Sequence, residues 1–349
     1  MRRLAAIAPI FAILTSVLTA GAALAADQHF KRINEHVLET QVRPRLERFA
    51  AATRALDDAM TAFADVRAAR QAFNDAEDAW QAVQHLRRGP AEAEHRHQRI
   101  QFWPDKRGHT RKHLAWLLAS TDAADLAPES FAKASVAVQG FPALERLLYA
   151  EAPPKGRALA VVRAISRNLA TIAAELLAQW NDPASEFGAV LAKPGPTNPL
   201  FADARAITAF IATDLVAGLK AVEEQKLGRP IGEKRALPKR AEAWRSRRSL
   251  RNVVINLEAL KELFGAMVAK AQFGDDEARQ AKFVLGQYDS VLRGARALGP
   301  SIYDLLGEYN GRLKLRALRG GIQDVYELTA GFLADGLGLT MGFNSLDGD

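Results

Sequence analysis

Cysteine is absent from all 349 residues, which excludes disulfides, thiolate metal ligands, a cysteine nucleophile and a lipidated cysteine in one stroke. Histidine is scarce and confined to positions 29–113, so imidazole chemistry can belong only to the first part of the chain. No stretch alternates apolar and polar residues between hairpin turns, and strands are not expected. The sequence also lacks a Gly-x-Ser-x-Gly elbow and a phosphate-binding glycine loop. Only 7% of residues are aromatic, yet 48% are apolar, enough for one or two well-buried cores.

The one long apolar run is N-terminal. Met1-Arg2-Arg3 precedes Leu4 to Leu18, and Ala23-Leu24-Ala25 stands before the polar Ala26-Asp27-Gln28. A basic start, an apolar middle and a small-residue cleavage site predict a signal peptide over 1–25. The expected product is periplasmic, with no transmembrane segment after cleavage. The formal charge is +7, with much of the excess in Lys234–Arg251. That run is read as a solvated loop and helix start, and nucleic acid is not an expected partner of an exported chain.

What remains has helical periodicity. Val42, Leu46, Phe49, Leu56, Met60 and Phe63 share one face, as do Phe73, Ala76, Trp80 and Val83. Short helices are predicted near 109–120 and 129–139, one after Gly140, and a long one through Leu159, Ile172 and Trp180. A second set begins with Ile207, Ile211, Leu215, Leu219 and Val222 and continues near 249–271, 276–298, 301–310 and 313–335. Between the sets, Pro183, Pro194, Gly195, Pro196 and Pro199 mark 183–202 as a linker or long loop. The prediction is an all-α chain of two antiparallel helical bundles, 26–182 and 203–349.

One hexamer carries a family likeness. Gly140-Phe141-Pro142-Ala143-Leu144-Glu145 resembles the Gly-x-His-x-x-Glu signature of the imelysin-like family, with Pro142 where the histidine would stand. Arg99-Ile100-Gln101-Phe102-Trp103-Pro104-Asp105-Lys106-Arg107, the block Trp244–Asn252 and the terminal Gly342–Asp349 are similar to family blocks in the same order. The resemblance implies two pseudo-symmetric bundle-like halves, a link to iron, and the metallopeptidase activity for which the family was named. Pro142 removes a metal ligand from that expectation, and it suits a helix's first turn, where its missing N–H is no loss.

The candidate chemistry centres on Glu145, a carboxylate among Leu144, Leu147 and Leu148. Burying it requires a partner, a proton or a metal. Arg99 or Arg107 are the expected partners in a structural role; in a ligand role Asp75, Glu77 and Asp78 would join it around a hard divalent cation or iron. The spaced pairs His36/Glu39 and His109/His113 are read as surface residues. A cleft between the halves, with Arg99, Trp103, Asp105, Arg107, Arg247 and Asp347, is the expected binding surface. The favoured reading is an exported protein that binds a metal ion or small ligand in iron-linked acquisition, working with an envelope receptor or transporter. The alternatives are a metallopeptidase or an interaction scaffold whose metal site has decayed.

Overall fold

A computed structural model describes residues 26–340, and among these every regular element is helical. The predicted signal peptide at 1–25, the terminal block from Gly342 and Asp347 lie outside the described residues. Helix α1 covers 26–37, passes through a π-helical stretch, Leu38–Val42, and continues as Arg43–Ala62. It stops at Phe63, which is in the left-handed region. Asp65 then caps α2, Val66–Gln81, by accepting a hydrogen bond from the Ala68 amide. Helices α3 (His109–Ala119), α4 (Phe141–Leu148) and α5 (Arg157–Asn181) complete the first bundle. Its core joins Phe49 to Trp80 and Phe141, with Phe73 edge-on to Phe141 at 5.8 Å.

The 183–202 segment is not structureless. Ser185 caps α6, Glu186–Ala192, whose Phe187 is buried against Trp180 at 4.8 Å and near Phe201. The second bundle consists of α7 (Ala204–Lys220, extended by a π-helical stretch Ala221–Gly228), α8 (Ser249–Ala269), α9 (Asp275–Ala297) and α10 (Gly311–Asp335). Phe264, Tyr288 and Phe332 pack at its centre. The start of α1 also binds this bundle: Asn34 donates to the Ala204 carbonyl and accepts from the Thr208 hydroxyl, both at 2.7 Å, and Arg45 pairs with Glu262. One helix therefore spans both cores. No helix among the described residues is long and apolar enough to cross a membrane.

Two predicted helices are shorter than periodicity suggested. Only Pro128–Phe131 and a 3-10 turn, Val136–Val138, form within 129–139, because the Gln139 side chain donates to the Ala132 and Ala134 carbonyls instead of leaving them to a helix. Only Ile302–Leu305 forms within 301–310. Pro142 falls in the first turn of α4, as predicted.

The glycine of the hexamer has a purely steric reason. A Cβ on Gly140 would lie 2.0 Å from the Ile100 carbonyl oxygen and 2.4 Å from that of Arg99. The Arg99–Arg107 block and α4 thus meet backbone to backbone. Gly140→Ala is expected to cost about 1–3 kcal/mol through forced separation of these segments, read as a lowered urea midpoint with an unchanged m-value.

Candidate functional site at the junction of the bundles

Glu145 on α4 is buried, and its carboxylate Oε1 accepts from both the amide and the hydroxyl of Ser246, each at 2.8 Å. Neither Arg99 nor Arg107 is its partner, which corrects the sequence expectation. Arg99 turns the other way, donating to Gln139 at 2.7 Å and to Asn168 at 3.2 Å; Arg107 is exposed. Burial raises the Glu145 pKa, against the opposing pull of the Ser246 hydrogen bonds. Ser246 can reach it because the 241–248 segment is sharply bent, with Ala243 and Arg247 at φ 48° and 61°. Non-glycine residues in this region carry strain, which concentrates where surrounding contacts over-determine the backbone.

Below Glu145 lies a buried polar network that periodicity alone did not reveal. Lys226, on the π-helical stretch, donates to Glu242 and to Gln81 Oε1, both at 2.7 Å. Glu242 also accepts from Gln101 at 2.9 Å and from Asn252 at 3.1 Å. Burial lowers the Lys226 pKa, and Glu242 counters it. Lys226 stands four residues beyond Val222 on an otherwise apolar stripe, the one signal that could have exposed it. Its partner Glu242 sits outside any periodic pattern.

Glu77 on α2 borders the same network and is only 2% exposed. Asn252 donates to its Oε1 at 3.3 Å, while Arg248 Nε lies 3.4 Å from Oε2 without the alignment to donate, so Oε2 has no hydrogen bond. Burial first, then the nearby Glu145 and Glu242, push its pKa up to about 8. It therefore holds a proton near neutrality.

Glu77, Gln101, Glu145 and Glu242 form the floor of a cavity of about 550 Å³ between the two bundles. One wall comes from Gln101 to Asp105, Pro142 and Glu145; the other from Arg229 and Lys239 to Arg245. The expected interbundle cleft exists, but with a different rim. Trp103 and Asp105 line it, whereas Arg99, Arg107 and Arg247 do not. Asp105 also accepts from the His109 and Thr110 amides at 2.9 Å and so caps α3. Burial opposes its ionisation, but those donors prevail and hold its pKa low. Arg247 pairs with Asp304 at 2.7 Å. Of the proposed acidic companions, Glu77 alone lines the cleft: Asp75 is exposed and bonded to Gln71, and Asp78 is paired with Arg248 and Arg251.

A bare divalent cation suits this floor poorly. Lys226 already neutralises Glu242, Arg248 stands beside Glu77, and Glu145 Oε1 is committed to Ser246. Among the described residues no three His, Asp or Glu side chains are placed to hold a metal ion.

The helical fold is shared with known proteins. The imelysin family model matches residues 42–330, and the chain belongs to that family. An imelysin-like protein from Psychrobacter arcticum 273-4 has a similar structure, with a TM-score of 0.76 and 21% identity over 91% of this chain and 98% of that one. A structure from Parabacteroides distasonis ATCC 8503, described as an iron-regulated protein A precursor, gives 0.71 and 12% identity over 88% of this chain and 95% of that one. These likenesses establish the fold. No curated protein matches the sequence.

Two outcomes check the floor. Lys226→Met should destabilise by roughly 3–5 kcal/mol, because it strands the buried Glu242, and Glu242→Gln in the same chain should restore part of the loss in chemical denaturation. The raised Glu77 pKa means that the folded state binds this proton more tightly than the unfolded one. Its contribution is complete below the ordinary carboxylate value of 4.5 and disappears as pH rises through about 8. Melting temperatures from about pH 5 to about pH 9 should therefore fall more steeply for the wild type than for Glu77→Gln.

Proposed function

We propose that this imelysin-family chain is an exported binding protein of iron-linked acquisition, and that the cleft between its bundles holds the ligand for hand-over to an envelope receptor or transporter. The observation that carries the reading is the cleft floor, where two almost fully buried polar atoms, Glu77 Oε2 and Gln101 Oε1, lack hydrogen-bond partners. Leaving such groups unmade is costly, and a ligand bearing a hydroxyl would supply the donor that Gln101 Oε1 lacks. The volume of about 550 Å³ suits a small molecule. The iron link is supported by the relative described as iron-regulated, and export by the leader-like residues 1–25.

The peptidase alternative has weaker support. Hydrolysis by a metal-activated water ordinarily requires three protein ligands and an open position. Here Pro142 replaces the imidazole of the family hexamer, and the nearby carboxylates already have basic or hydroxyl partners.

The test pairs growth with assay. A strain lacking the protein should grow more slowly at limiting iron and be rescued by the wild type but not by Gln101→Leu; because that variant also removes a donor to Glu242, its melting temperature and cellular level are measured beside growth. The purified protein should leave peptide substrates intact with zinc added. Zinc-dependent hydrolysis abolished by Glu145→Ala would overturn the binding reading in favour of the peptidase, and growth independent of iron supply would remove the iron link.

A further inference from the structure

The cleft is far more basic than the chain as a whole. Arg146, Arg229 and Arg245 line it half-buried, and Lys106, Arg111, Lys239 and Arg240 line it from exposed positions. Among the described residues, none of these seven forms an ion pair or donates a side-chain hydrogen bond. Neighbouring cations just outside the cleft do the opposite: Arg247 pairs with Asp304, and Arg248 and Arg251 with Asp78. The four carboxylates lining the cleft are otherwise engaged. Glu242 is held by Lys226, Asp105 by the α3 amides, Glu145 by Ser246, and Glu77 keeps its proton near neutrality.

Crowding these cations is unfavourable in the free protein. Arg245 is partly desolvated and repelled by Arg146, and Arg229 is desolvated and repelled by Arg240; both effects lower their pKa values, nearby Glu145 offsets part of the effect on Arg245, and a guanidinium stays charged at any physiological pH. Arg245 is nevertheless held in place. It lies over the Trp244 ring at 4.2 Å, and Trp244 is in turn stacked on Tyr303 at 5.6 Å. A fixed guanidinium facing a cavity, with like charges beside it, is arranged to meet negative charge.

We infer that the ligand of this cleft is a compact, multiply charged oxyanion of the carboxylate or phosphate class, bound through Arg146, Arg229 and Arg245. The inference rests on the cleft being the ligand site. It adds the ligand's charge, and it implies that iron bound here enters within an anionic complex. Planar guanidinium groups accept either carboxylate or phosphate oxygens as paired acceptors, so the chemistry is shared between the two sources.

Calorimetric titration of residues 26–349 with citrate and with inorganic pyrophosphate, each alone and with ferric iron, separates the cases. At least one anion should bind, more weakly as ionic strength rises from about 0.01 M to about 0.15 M. The double variant Arg229→Gln/Arg245→Gln should weaken that affinity by roughly tenfold or more. Because neither side chain forms an ion pair or donates a hydrogen bond, and only the Arg245 contact with the Trp244 ring is lost, its melting temperature should change little. The exposed pair Lys239→Glu/Arg240→Glu gives a second variant that does not challenge folding and should weaken binding in the same direction. Preference for citrate or for pyrophosphate identifies the source of the oxyanion. Binding of ferric iron alone, with neither anion taken up, would overturn the inference while leaving a ligand-binding cleft. Anion binding unchanged in both variants would overturn it as well. No binding by any probe, together with growth indifferent to iron, would remove the cleft reading itself.

Discussion

The Lys226–Glu242 ion pair is the constraint around which the centre of this molecule is organised. Both side chains are almost sealed from solvent, and a buried pair is tolerable only when its remaining donors and acceptors are also matched. That requirement draws Gln81 from the end of α2, Gln101 from the aromatic block and Asn252 from α8 to one point. The two bundles are thereby tied by polar groups whose geometry is specific, where apolar packing alone would accept many registers. The π-helical stretch that carries Lys226 belongs to the same solution, since such stretches recur where a helix must redirect side chains at a functional site.

Above this pair the protein uses strain and close contact to set the cleft. Gly140 lets α4 approach the Arg99–Ile100 backbone, and the bent 241–248 segment turns Ser246 back onto Glu145. The same bend presents Trp244 and Arg245 to the cavity. One short segment therefore hydrogen-bonds a buried acidic residue on one side and displays a basic one on the other. Buried titratable groups give the fold opposing responses to pH. Glu77 favours the folded state only while protonated, whereas His85, which burial pushes down to about 3, favours it only while neutral. Together the two groups favour the folded state most between pH 4.5, above which the Glu77 contribution begins to fall, and pH 6.5, below which that of His85 begins to fall.

The hexamer at 140–145 is accounted for by the local structure. Gly140 and Pro142 have structural reasons to be there, one steric and one at a helix start. Glu145 has been recruited as an acceptor for Ser246. Among the described residues, the charged side chains lining the cleft that form neither ion pairs nor hydrogen bonds are cationic.

The sequence by itself determined that the chain is helical, since apolar residues recur at three and four along nearly every segment and a helix's side-chain geometry depends only on that spacing. It also placed Pro142 in a first turn and pointed to a cleft between the halves containing Trp103 and Asp105. It did not reveal that Glu145 would meet a serine 101 positions away, that Arg99 would face Gln139, or that α1 would serve both bundles. Nor did it reveal Lys226 and Glu242, because a buried charge leaves no periodic mark beyond interrupting an apolar stripe. Those outcomes depend on which polar groups are brought within hydrogen-bonding distance when long-range segments pack. Local spacing decides the helices, but only the tertiary structure decides which buried charge finds which partner and which charges are left facing the cleft.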